Sequence, residues 1–431
     1  MPRMIVVALT VVFCAVLLGP TAARADKITY VDAYKYPVFT EMEAYADSVQ
    51  AERDSVTNEI HARQKERKET DEKQQKTLLL DFVNITIPGS PEVFDAVFHT
   101  PPVAQYLSGT CWAFAGMSLI ESEAERLLGR KIKLSEMFIV YWEWIERARR
   151  FVAERGDSRI GSGSETNAVF RVLKKYGAVP LEAYPGLPDP AYRRHNHNAL
   201  SEELHSYFAF VQDKGLWDED HVISMIKVIL NKHLGTPPDS FSWEGKTFTP
   251  RAFADEYLGI NPDDYVSVMS TLSVPFYTQA EFKAYDNWWH DSSYYNVPLD
   301  VWYTSLREAV RKGYSLTIGG DVSEPGVNGF VDAEVVADYD IPQKFINQDS
   351  REFRIYDGTT GDDHGVHVVG YTKIAGRDWY LTKDSSSRAR FGKHEGYMFI
   401  RDDFIRLKIL TYTVHKAALG RILNQCVGTT N

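Results

Sequence analysis

The stretch that decides the fold is Gln105-Tyr-Leu-Ser-Gly-Thr-Cys111-Trp112-Ala-Phe114. From the cysteine to Leu128 the apolar residues recur at roughly helical spacing, which predicts a helix that begins at Cys111. The positive end of a helix macrodipole favours a thiolate, and a thiolate is a good nucleophile. A lone cysteine is more often a small buried hydrophobic residue. The position of Cys111 alone therefore does not decide between a catalytic and a structural role.

The sequence offers three partners for such a thiolate. Gln105 lies on the loop before the helix, so its side-chain amide and the backbone N–H of Cys111 can form an oxyanion hole. His364 enters a predicted apolar strand, where it can serve as the base beside a thiol. Asp384 follows the next predicted strand. If the two strands are adjacent and antiparallel, Asp384 lies beside His364 and orients the imidazole.

His367 is the alternative base, because it belongs to the same predicted strand as His364. The two histidines are separated by three positions, so strand alternation places them on opposite faces. Only one of them can face the cysteine. The other is then a core histidine that needs only a hydrogen bond.

Together these residues resemble the papain-like cysteine peptidases, whose motifs are Gln-x5-Cys-Trp, His-Ala-x4-Gly-Tyr and Lys-Asn-Ser-Trp-Gly. This chain has Gln-x5-Cys-Trp-Ala-Phe, Asp-His-x5-Gly-Tyr and Lys-Asp-Ser, and the resemblance extends over roughly residues 100–420. It implies that Cys111 is the nucleophile and His364 is the base. It also implies that Asp384 orients the base and that Gln105 donates to the oxyanion. It thereby selects His364 over His367.

A second loop extends the resemblance to substrate binding. Ser162-Gly163-Ser164, with Tyr184-Pro185 further on, is similar to the glycine-bearing subsite loop of the family and its following Tyr-Pro. The resemblance implies that these three loop residues and Trp112 bind a peptide substrate. It implies no cofactor, and the sequence contains no Gly-rich phosphate loop.

The spacing of the motifs indicates a branch of the family. The interval between Cys111 and His364 is about 100 residues longer than the family's usual 130–150 or so. Residues 234–243 (LGTPPDSFSW), 249–253 (TPRAF) and 318–322 (IGGDV) are similar to segments of bleomycin hydrolases and bacterial aminopeptidases C. Members of that branch assemble as hexameric rings, so the resemblance implies a homo-oligomer.

Three features depart from the family pattern. Asp384 stands where the family has Asn, and its carboxylate is expected to stabilise the imidazolium. Ser386 stands where the family has a Trp that shields the His–Asn pair, so we expect this pair to be wetter. Aminopeptidases of the branch recognise the free amine of the substrate with a C-terminal tail. Here the sequence ends at Asn431, soon after a helix predicted over residues 416–424, so the choice between endopeptidase and aminopeptidase is left open.

Residues 1–25 have the layout of a secretory signal peptide: Arg3, an apolar run over residues 5–19 and an A-x-A site ending at Ala25. We predict cleavage after Ala25, a secreted or periplasmic protein, and no membrane association afterwards. The alternative is an uncleaved membrane anchor. The apolar run is short for that role, because a membrane-spanning helix needs about 20 apolar residues.

The order of the elements predicts an α+β fold, with helices first and antiparallel strands last. The resemblance implies the papain-like fold, with a helical left half, an antiparallel β right half and a large, mainly helical insertion. Helices are predicted at residues 111–128 and from Ser135 to about residue 154, and strands at residues 78–87, 315–320, 366–371, 379–382 and 397–401. The predicted division is a signal peptide (1–25), an N-terminal extension with a charged helix (26–99), the helical half bearing the cysteine (100–200), the insertion (201–310) and the β half bearing the histidine and aspartate (311–431).

Composition excludes several classes of function. The chain has 431 residues, of which 44% are hydrophobic and 25% charged, as in ordinary globular proteins. Its formal charge of −11 argues against nucleic acid as a partner, because binding to phosphate backbones needs a cationic face. His195, His197 and His205 lie in a polar stretch without a metal-ligand pattern, so we predict surface histidines and no metal site. The role of Cys426 is left open.

The sequence thus predicts a secreted cysteine peptidase that hydrolyses peptide amides through a Cys-His-Asp triad and an acyl-enzyme. Two alternatives remain. A transglutaminase-like acyltransferase uses the same triad, although Gln105 and the segment at residues 234–243 disfavour it. A peptide-binding protein on a decayed peptidase scaffold would need no nucleophile, so the presence of both Cys111 and His364 disfavours that interpretation.

Overall fold

The computed structural model describes residues 37–189 and 192–427. The predicted signal peptide, residues 1–25, lies outside them. The chain divides into two compact units, before and after residue 78. No helix in the described ranges is both long and apolar enough to cross a membrane.

The first unit consists, in its described part, of one long helix. α1 (Pro37–Gln74) has 38 residues, none of them buried. Acids and bases four residues apart form exposed ion pairs along it, such as Arg63 with Glu59 and Lys68 with Glu72. Pairs of this kind stabilise a helix by about 0.3–0.5 kcal/mol each, which is consistent with a helix that has no apolar face.

The helical part of the second unit is built around α2 (Cys111–Leu128), which is buried over most of its length. α3 (Glu136–Ala153) begins after Ser135, whose hydroxyl accepts a hydrogen bond from the backbone N–H of Phe138 and so caps the helix. The remaining described α-helices are α4 (Ala168–Tyr176), α5 (Asn198–Lys214), α6 (Glu219–Leu234), α7 (Pro250–Ala252), α8 (Leu299–Arg311), α9 (Gln348–Tyr356), α10 (Asp402–Lys408) and α11 (Arg421–Val427). A π-helix, Phe253–Leu258, continues α7.

A mixed, largely antiparallel sheet forms the other part of this unit. The described strands are β1 (Asp95–Ala96), β2 (Phe241–Trp243), β3 (Lys246–Phe248), β4 (Tyr265–Met269), β5 (Thr278–Ala280), β6 (Tyr294–Asn296), β7 (Leu316–Gly320), β8 (Val327–Asn328), β9 (Ala333–Glu334), β10 (His364–Ile374), β11 (Arg377–Lys383), β12 (Tyr397–Arg401) and β13 (Ile409–His415). The main sheet has the order β5-β6-β4-β13-β7-β10-β11-β12-β9-β8, and β1 pairs with β10. β2 and β3 form a separate hairpin.

The helices and the sheet each bury an apolar core, and the two cores adjoin at α2 and β10. The helical core includes Trp112 and Ile139, and the core of the sheet includes Trp302 and Val368. The start of β10 lies against the start of α2. A Cβ built on Gly365 would be only 3.7 Å from the Cα of Trp112. This packing brings the first residue of β10 close to the first residue of α2.

The α+β class is confirmed by these elements. The helix predicted at residues 111–128 is α2, and the one predicted from Ser135 is α3. The four strands predicted in the last third are β7, β10, β11 and β12, with β10 starting two residues earlier than expected, at His364. Sheet topology then makes β10 and β11 adjacent and antiparallel, as the placement of Asp384 requires.

Three features differ in part from expectation. Residues 78–87 form no strand, because the carboxylate of Asp81 accepts a hydrogen bond from Val83 N–H at 2.9 Å and the N–H of Ile85 bonds back to Phe82, which closes a turn. Residues 78–99, counted with the N-terminal extension, belong to the second unit, where Phe82 and Phe94 pack in a small core. The predicted insertion, residues 201–310, contains strands as well as helices, and the proposed domain boundaries stay a prediction.

Candidate active site

Cys111 is the first residue of α2, and it is half-buried. In the loop before it, the hydroxyl of Ser108 donates a hydrogen bond to the carbonyl of Gln105 at 2.7 Å. Gly109 has a φ of +62°, and a Cβ at that position would collide with the hydroxyl of Ser162. A glycine is therefore needed for the turn that delivers Cys111 to the helix N-terminus, where the macrodipole favours a thiolate.

His364 and Asp384 come from neighbouring strands. His364 is the first residue of β10, and Asp384 directly follows β11. The Nε2–H of His364 donates a hydrogen bond to Oδ1 of Asp384 at 2.9 Å. This leaves the other ring nitrogen for Cys111, which forms a side-chain hydrogen bond with His364. The structure therefore brings the predicted nucleophile, base and orienting residue together in one chain of hydrogen bonds.

The His364–Asp384 pair is shielded from water although the tryptophan of the family is absent. The two side chains are only 7% and 5% exposed, so the expectation of a wetter pair is wrong. The backbone N–H of Ser386 donates to Oδ1 of Asp384 at 2.6 Å, and the guanidinium of Arg390 donates to the carbonyl of Asp384 at 3.0 Å. The chain after β11 thus folds around the carboxylate and holds it in place.

The charges of the three groups support one another. Burial acts to lower the pKa of His364, but the negative charges of Asp384 and Cys111 and their hydrogen bonds raise it well above its ordinary value. Burial acts to raise the pKa of Asp384, and the charge and hydrogen bond of His364 outweigh it and hold that pKa below its ordinary value. The arrangement therefore favours the charged form of the imidazole, which is the form that a thiolate–imidazolium pair requires.

Gln105 is held in place by two hydrogen bonds with Ser385. The backbone N–H of Gln105 donates to the carbonyl of Ser385 at 2.9 Å, and the hydroxyl of Ser385 donates to Oε1 of Gln105 at 2.7 Å. Since Oε1 is engaged, the amide NH₂ group is the part of the side chain available to a substrate oxygen. Sequence reasoning included Ser385 only as the last residue of the Lys-Asp-Ser motif and assigned it no role.

The predicted subsite residues fall into two groups. Ser162 and Gly163 are partly exposed, whereas Trp112 and Ser164 are buried and support the loop from behind. The indole N–H of Trp112 donates to the carbonyl of Ser162 at 3.0 Å, and the hydroxyl of Ser164 donates to Glu143 at 2.7 Å. Of this set, Ser162 and Gly163 have exposed surface, and the carboxylate of Asp286 lies against Gly163.

His367 lies further along β10 than His364, next to Ser118 of α2. It is fully buried, its Nδ1 is 2.8 Å from the hydroxyl of Ser118, and burial together with the charge of Lys383 holds its pKa well below the ordinary value. A neutral, buried imidazole with such partners is a core histidine.

The three histidines predicted at the surface, His195, His197 and His205, differ from expectation in part. His205 is exposed, but His197 is buried, because its backbone N–H bonds to the carbonyl of Leu107 and draws it under the loop before the cysteine. Burial lowers the pKa of both His195 and His197 to about 4. In the described ranges no three His, Cys, Asp or Glu side chains are grouped as metal ligands.

Three carboxyl groups near the site, two of them buried, were not predicted. Glu334, the last residue of β9, is fully buried; burial and the charge of Asp384 raise its pKa to about 8, and the charge of His364 opposes them. Glu165 and Asp362 share a hydrogen bond beside the subsite loop. No motif marked these residues, since each owes its position to the packing of segments distant in sequence.

Comparison with known proteins gives a consistent result. The sequence profile of the Peptidase C1-like family matches residues 53–425. Aminopeptidase C of Listeria monocytogenes is 24% identical over 272 residues, which are 54% of this chain and 61% of that protein. Bleomycin hydrolase of Rattus norvegicus is 19% identical, over 77% of this chain and 84% of its own length. The match to the Listeria aminopeptidase C spans about three fifths of that protein's length.

Among solved structures, the crystal structure of PepW from Lactobacillus rhamnosis HN001 superposes with a TM-score of 0.62. The match covers 79% of this chain and 85% of that protein, at 18% identity. At that identity the likeness concerns the fold, and it confirms the papain-like architecture expected from the sequence motifs.

Proposed function

This chain belongs to the Peptidase C1-like family, and from that premise we propose that it is a cysteine peptidase that hydrolyses peptide amide bonds through Cys111, His364 and Asp384. The observation that carries the proposal is the hydrogen-bonded series of Cys111, His364 and Asp384, with 2.9 Å between the imidazole and the carboxylate. The aminopeptidase C and bleomycin hydrolase relatives support the same class of reaction.

The residues have distinct tasks in the proposed reaction. The thiolate of Cys111 attacks the peptide carbonyl carbon and forms a C–S bond, while His364 holds the proton that came from the thiol. Collapse of the tetrahedral intermediate breaks the C–N bond, and His364 gives that proton to the leaving amine. Water then attacks the thioester, loses a proton to His364 and breaks the C–S bond, which releases a carboxylic acid and restores the thiol.

The developing oxyanion is stabilised by two donors in this mechanism. One is the backbone N–H of Cys111 at the start of α2. The other is the amide NH₂ of Gln105, directed by the Ser385 hydrogen bond to Oε1. A donor of this kind is worth about 10²–10³ in rate in comparable sites.

The experiment uses a fluorogenic peptide amide and a peptidyl epoxide that traps thiolates. We expect hydrolysis of the amide, and a single epoxide adduct on Cys111 by peptide mapping. Cys111→Ser is the control and should show neither. Transfer of the acyl group to an added amine in preference to water would instead indicate an acyltransferase. Retention of peptides without turnover or labelling would indicate a binding protein.

Export and assembly are further parts of the proposal. We propose that the mature protein begins at Asp26, outside the cytoplasm, and that it associates into the hexamer of the bleomycin hydrolase branch. N-terminal sequencing of the protein from the exported fraction tests the first part, and a start at Met1 would contradict it. Light scattering of the mature protein tests the second, and a monomer at micromolar concentration would contradict it.

A further inference from the structure

Two acidic side chains meet beside the candidate nucleophile. Glu165 directly follows the subsite loop, and Asp362 precedes His364 by two residues. Both carboxyl groups lie over Gly319 of β7, where a Cβ would be 3.3 Å from Oδ1 of Asp362 and 3.9 Å from Oε2 of Glu165. The two carboxyl groups share a hydrogen bond, so we call them the carboxyl pair.

The carboxyl pair lies on the side of the sheet that faces α2. Gly319 is the antiparallel partner of Gly365, and partners in register point to the same face. A Cβ on Gly365 would point to the Cα of Trp112, in the first turn of α2. The charge of Cys111 also acts on Glu165. The pair therefore lies on the same side of β7 and β10 as the nucleophile.

The carboxyl pair lacks the cation that such groups usually have. Glu165 is only 4% exposed, and its Oε1 has no hydrogen-bond partner among the described residues. No described Lys or Arg forms an ion pair with it or with Asp362. The neighbouring Asp286, by contrast, forms an ion pair with Arg159 at 3.0 Å. Burying a carboxylate without a cation is costly, so the carboxyl pair is a place where an added positive charge is stabilised.

Access to the carboxyl pair comes through Asp362, which is half-buried. The segment after the subsite loop is fixed to β7, because the hydroxyl of Thr166 lies 2.8 Å from that of Thr317. The carboxyl pair thus stands on a rigid base next to Ser162, a partly exposed residue of the subsite loop.

We propose that Glu165 and Asp362 form a subsite that binds a cationic group in the acyl part of the peptide substrate. The acyl part is the relevant one because it stays attached to Cys111 while the leaving amine departs. An α-ammonium group at the substrate N-terminus and the side chain of a lysine or arginine offer the same chemistry, a positive donor for two carboxyl oxygens. The inference rests on the proposed peptidase function and specifies its substrate.

Titration of the carboxyl pair gives the inference a pH signature. Burial raises the pKa of Asp362 to about 6, and burial with the charge of Asp362 raises that of Glu165 well above its ordinary value. The other groups that face the pair are Asp286, Cys111, Asp363, His364 and Tyr294. Below about pH 6 Asp362 takes up a proton, so the carboxyl pair loses negative charge.

The test compares fluorogenic amides that differ only in charge. The first comparison is between a dipeptide amide with a free amine and its N-acetyl form. The second comparison is between an N-acetylated peptide that contains lysine and the same peptide with norleucine in its place. In at least one of these two substrate comparisons, we expect kcat/KM to be about tenfold or more higher for the cationic substrate, as for charge-assisted hydrogen bonds. The comparison that shows this preference identifies the source of the cation. Equal rates within both comparisons would overturn the inference.

Variants then assign the preference to the carboxyl pair. Glu165→Gln and Asp362→Asn should each reduce the preference ratio about tenfold, mainly through KM. Asp363→Asn is the matched control: it removes the same charge one residue away, but its carboxylate bonds to the N–H of Val322 instead, at 3.0 Å. Its ratio should stay within about twofold of the wild type. A ratio unchanged in Glu165→Gln and Asp362→Asn, or reduced equally in Asp363→Asn, contradicts the inference.

Two readouts keep the inference separate from the peptidase proposal. Turnover of the N-acetylated norleucine peptide and epoxide labelling of Cys111 test the peptidase activity, whatever the charge preference. If a variant does not fold, the wild type alone decides: KM of the preferred cationic peptide should rise as pH falls below about 6, while KM of its uncharged partner does not. Parallel pH profiles of the two KM values would contradict the inference.

Discussion

The hydroxyl of Ser385 donates a 2.7 Å hydrogen bond to Oε1 of Gln105. The bond fixes which end of the amide faces the site, because an engaged Oε1 leaves the NH₂ group for the substrate. Ser385 directly follows Asp384, so one short segment after β11 orients both the imidazole of His364 and the second oxyanion donor.

The first prediction tests that orientation. Gln105→Ala should lower kcat by about 10²–10³, since it removes an oxyanion donor. Ser385→Ala should lower kcat less, by about tenfold, because the donor remains but can rotate. Ser387→Ala is the control: this serine is exposed, makes no cap hydrogen bond and should keep the wild-type kcat. Equal kcat values for Ser385→Ala and the wild type would show that the Ser385 bond is dispensable for catalysis.

The second prediction concerns Cys111 and Cys426, the two cysteines in the described ranges. Cys111 is half-buried at a helix N-terminus, whereas Cys426 is buried and burial raises the pKa of its thiol. An alkylating reagent near pH 7 should therefore label Cys111 at least about tenfold faster, because the thiolate is the reacting form. Mass spectrometry of timed samples measures both rates. Faster labelling of Cys426 would mean that the nucleophile is misassigned.

The third prediction separates the two histidines of β10. His364→Ala should abolish turnover and slow alkylation of Cys111, because the thiolate loses its counter-ion. His367→Ala should keep the activity per folded molecule and lower the free energy of unfolding by about 1–3 kcal/mol, since Ser118 loses a buried hydrogen-bond partner. Activity and denaturant unfolding are measured on the same samples. Equal loss of specific activity in both variants would overturn the assignment of His364.

The parts of the fold that the sequence predicted are those with a local signal. α2 and α3 have helical spacing of apolar residues, and Ser135 marks the start of α3. β13 was missed although it lies inside the sheet between β4 and β7. Strand β13, with the sequence ILTYTVH, is buried on both faces up to its last residue, so the alternation that marks a half-exposed strand is absent.

For the site, the sequence indicated the residues that belong to motifs and missed those placed by tertiary contact. Cys111, His364 and Asp384 could be related to one another through two strands and one helix start. Glu334 and Glu165 could not, because one comes from a two-residue strand and the other from a loop whose course depends on β7. The shielding of the His364–Asp384 pair also depends on the backbone after β11, which no side-chain pattern reveals.

The fourth prediction concerns Glu334. Its pKa in the folded protein is about 8, mainly through burial, against an ordinary value of 4.5. The folded state thus retains a proton that the unfolded chain has already released, so stability falls as pH rises from about 4.5 to about 8. Glu334→Gln cannot ionise and should gain about 1–3 kcal/mol over the wild type at pH 8, and little at pH 5. Thermal unfolding at the two pH values measures the gain, and a difference independent of pH would contradict this account.

The last prediction concerns Asp384. Asp384→Ala should remove most of the activity, because His364 loses the acceptor that fixes its tautomer. Asp384→Asn should keep a large part of it. Oδ1 of Asp384 accepts both from His364 at 2.9 Å and from the N–H of Ser386 at 2.6 Å, and these two donors orient the amide oxygen of an asparagine in the same way. The burial of the pair reinforces that orientation, since water does not compete for the amide.

The pH–rate profile of the Asp384 variants carries the test. The charge of Asp384 is a main cause of the raised pKa of His364, so the basic limb, on which His364 loses its proton, should move to lower pH in Asp384→Asn. The acidic limb reports formation of the thiolate–imidazolium pair, and both limbs are measured with one small peptide substrate. A basic limb that stays in place, together with near wild-type activity of Asp384→Ala, would mean that a group other than Asp384 orients the imidazole of His364.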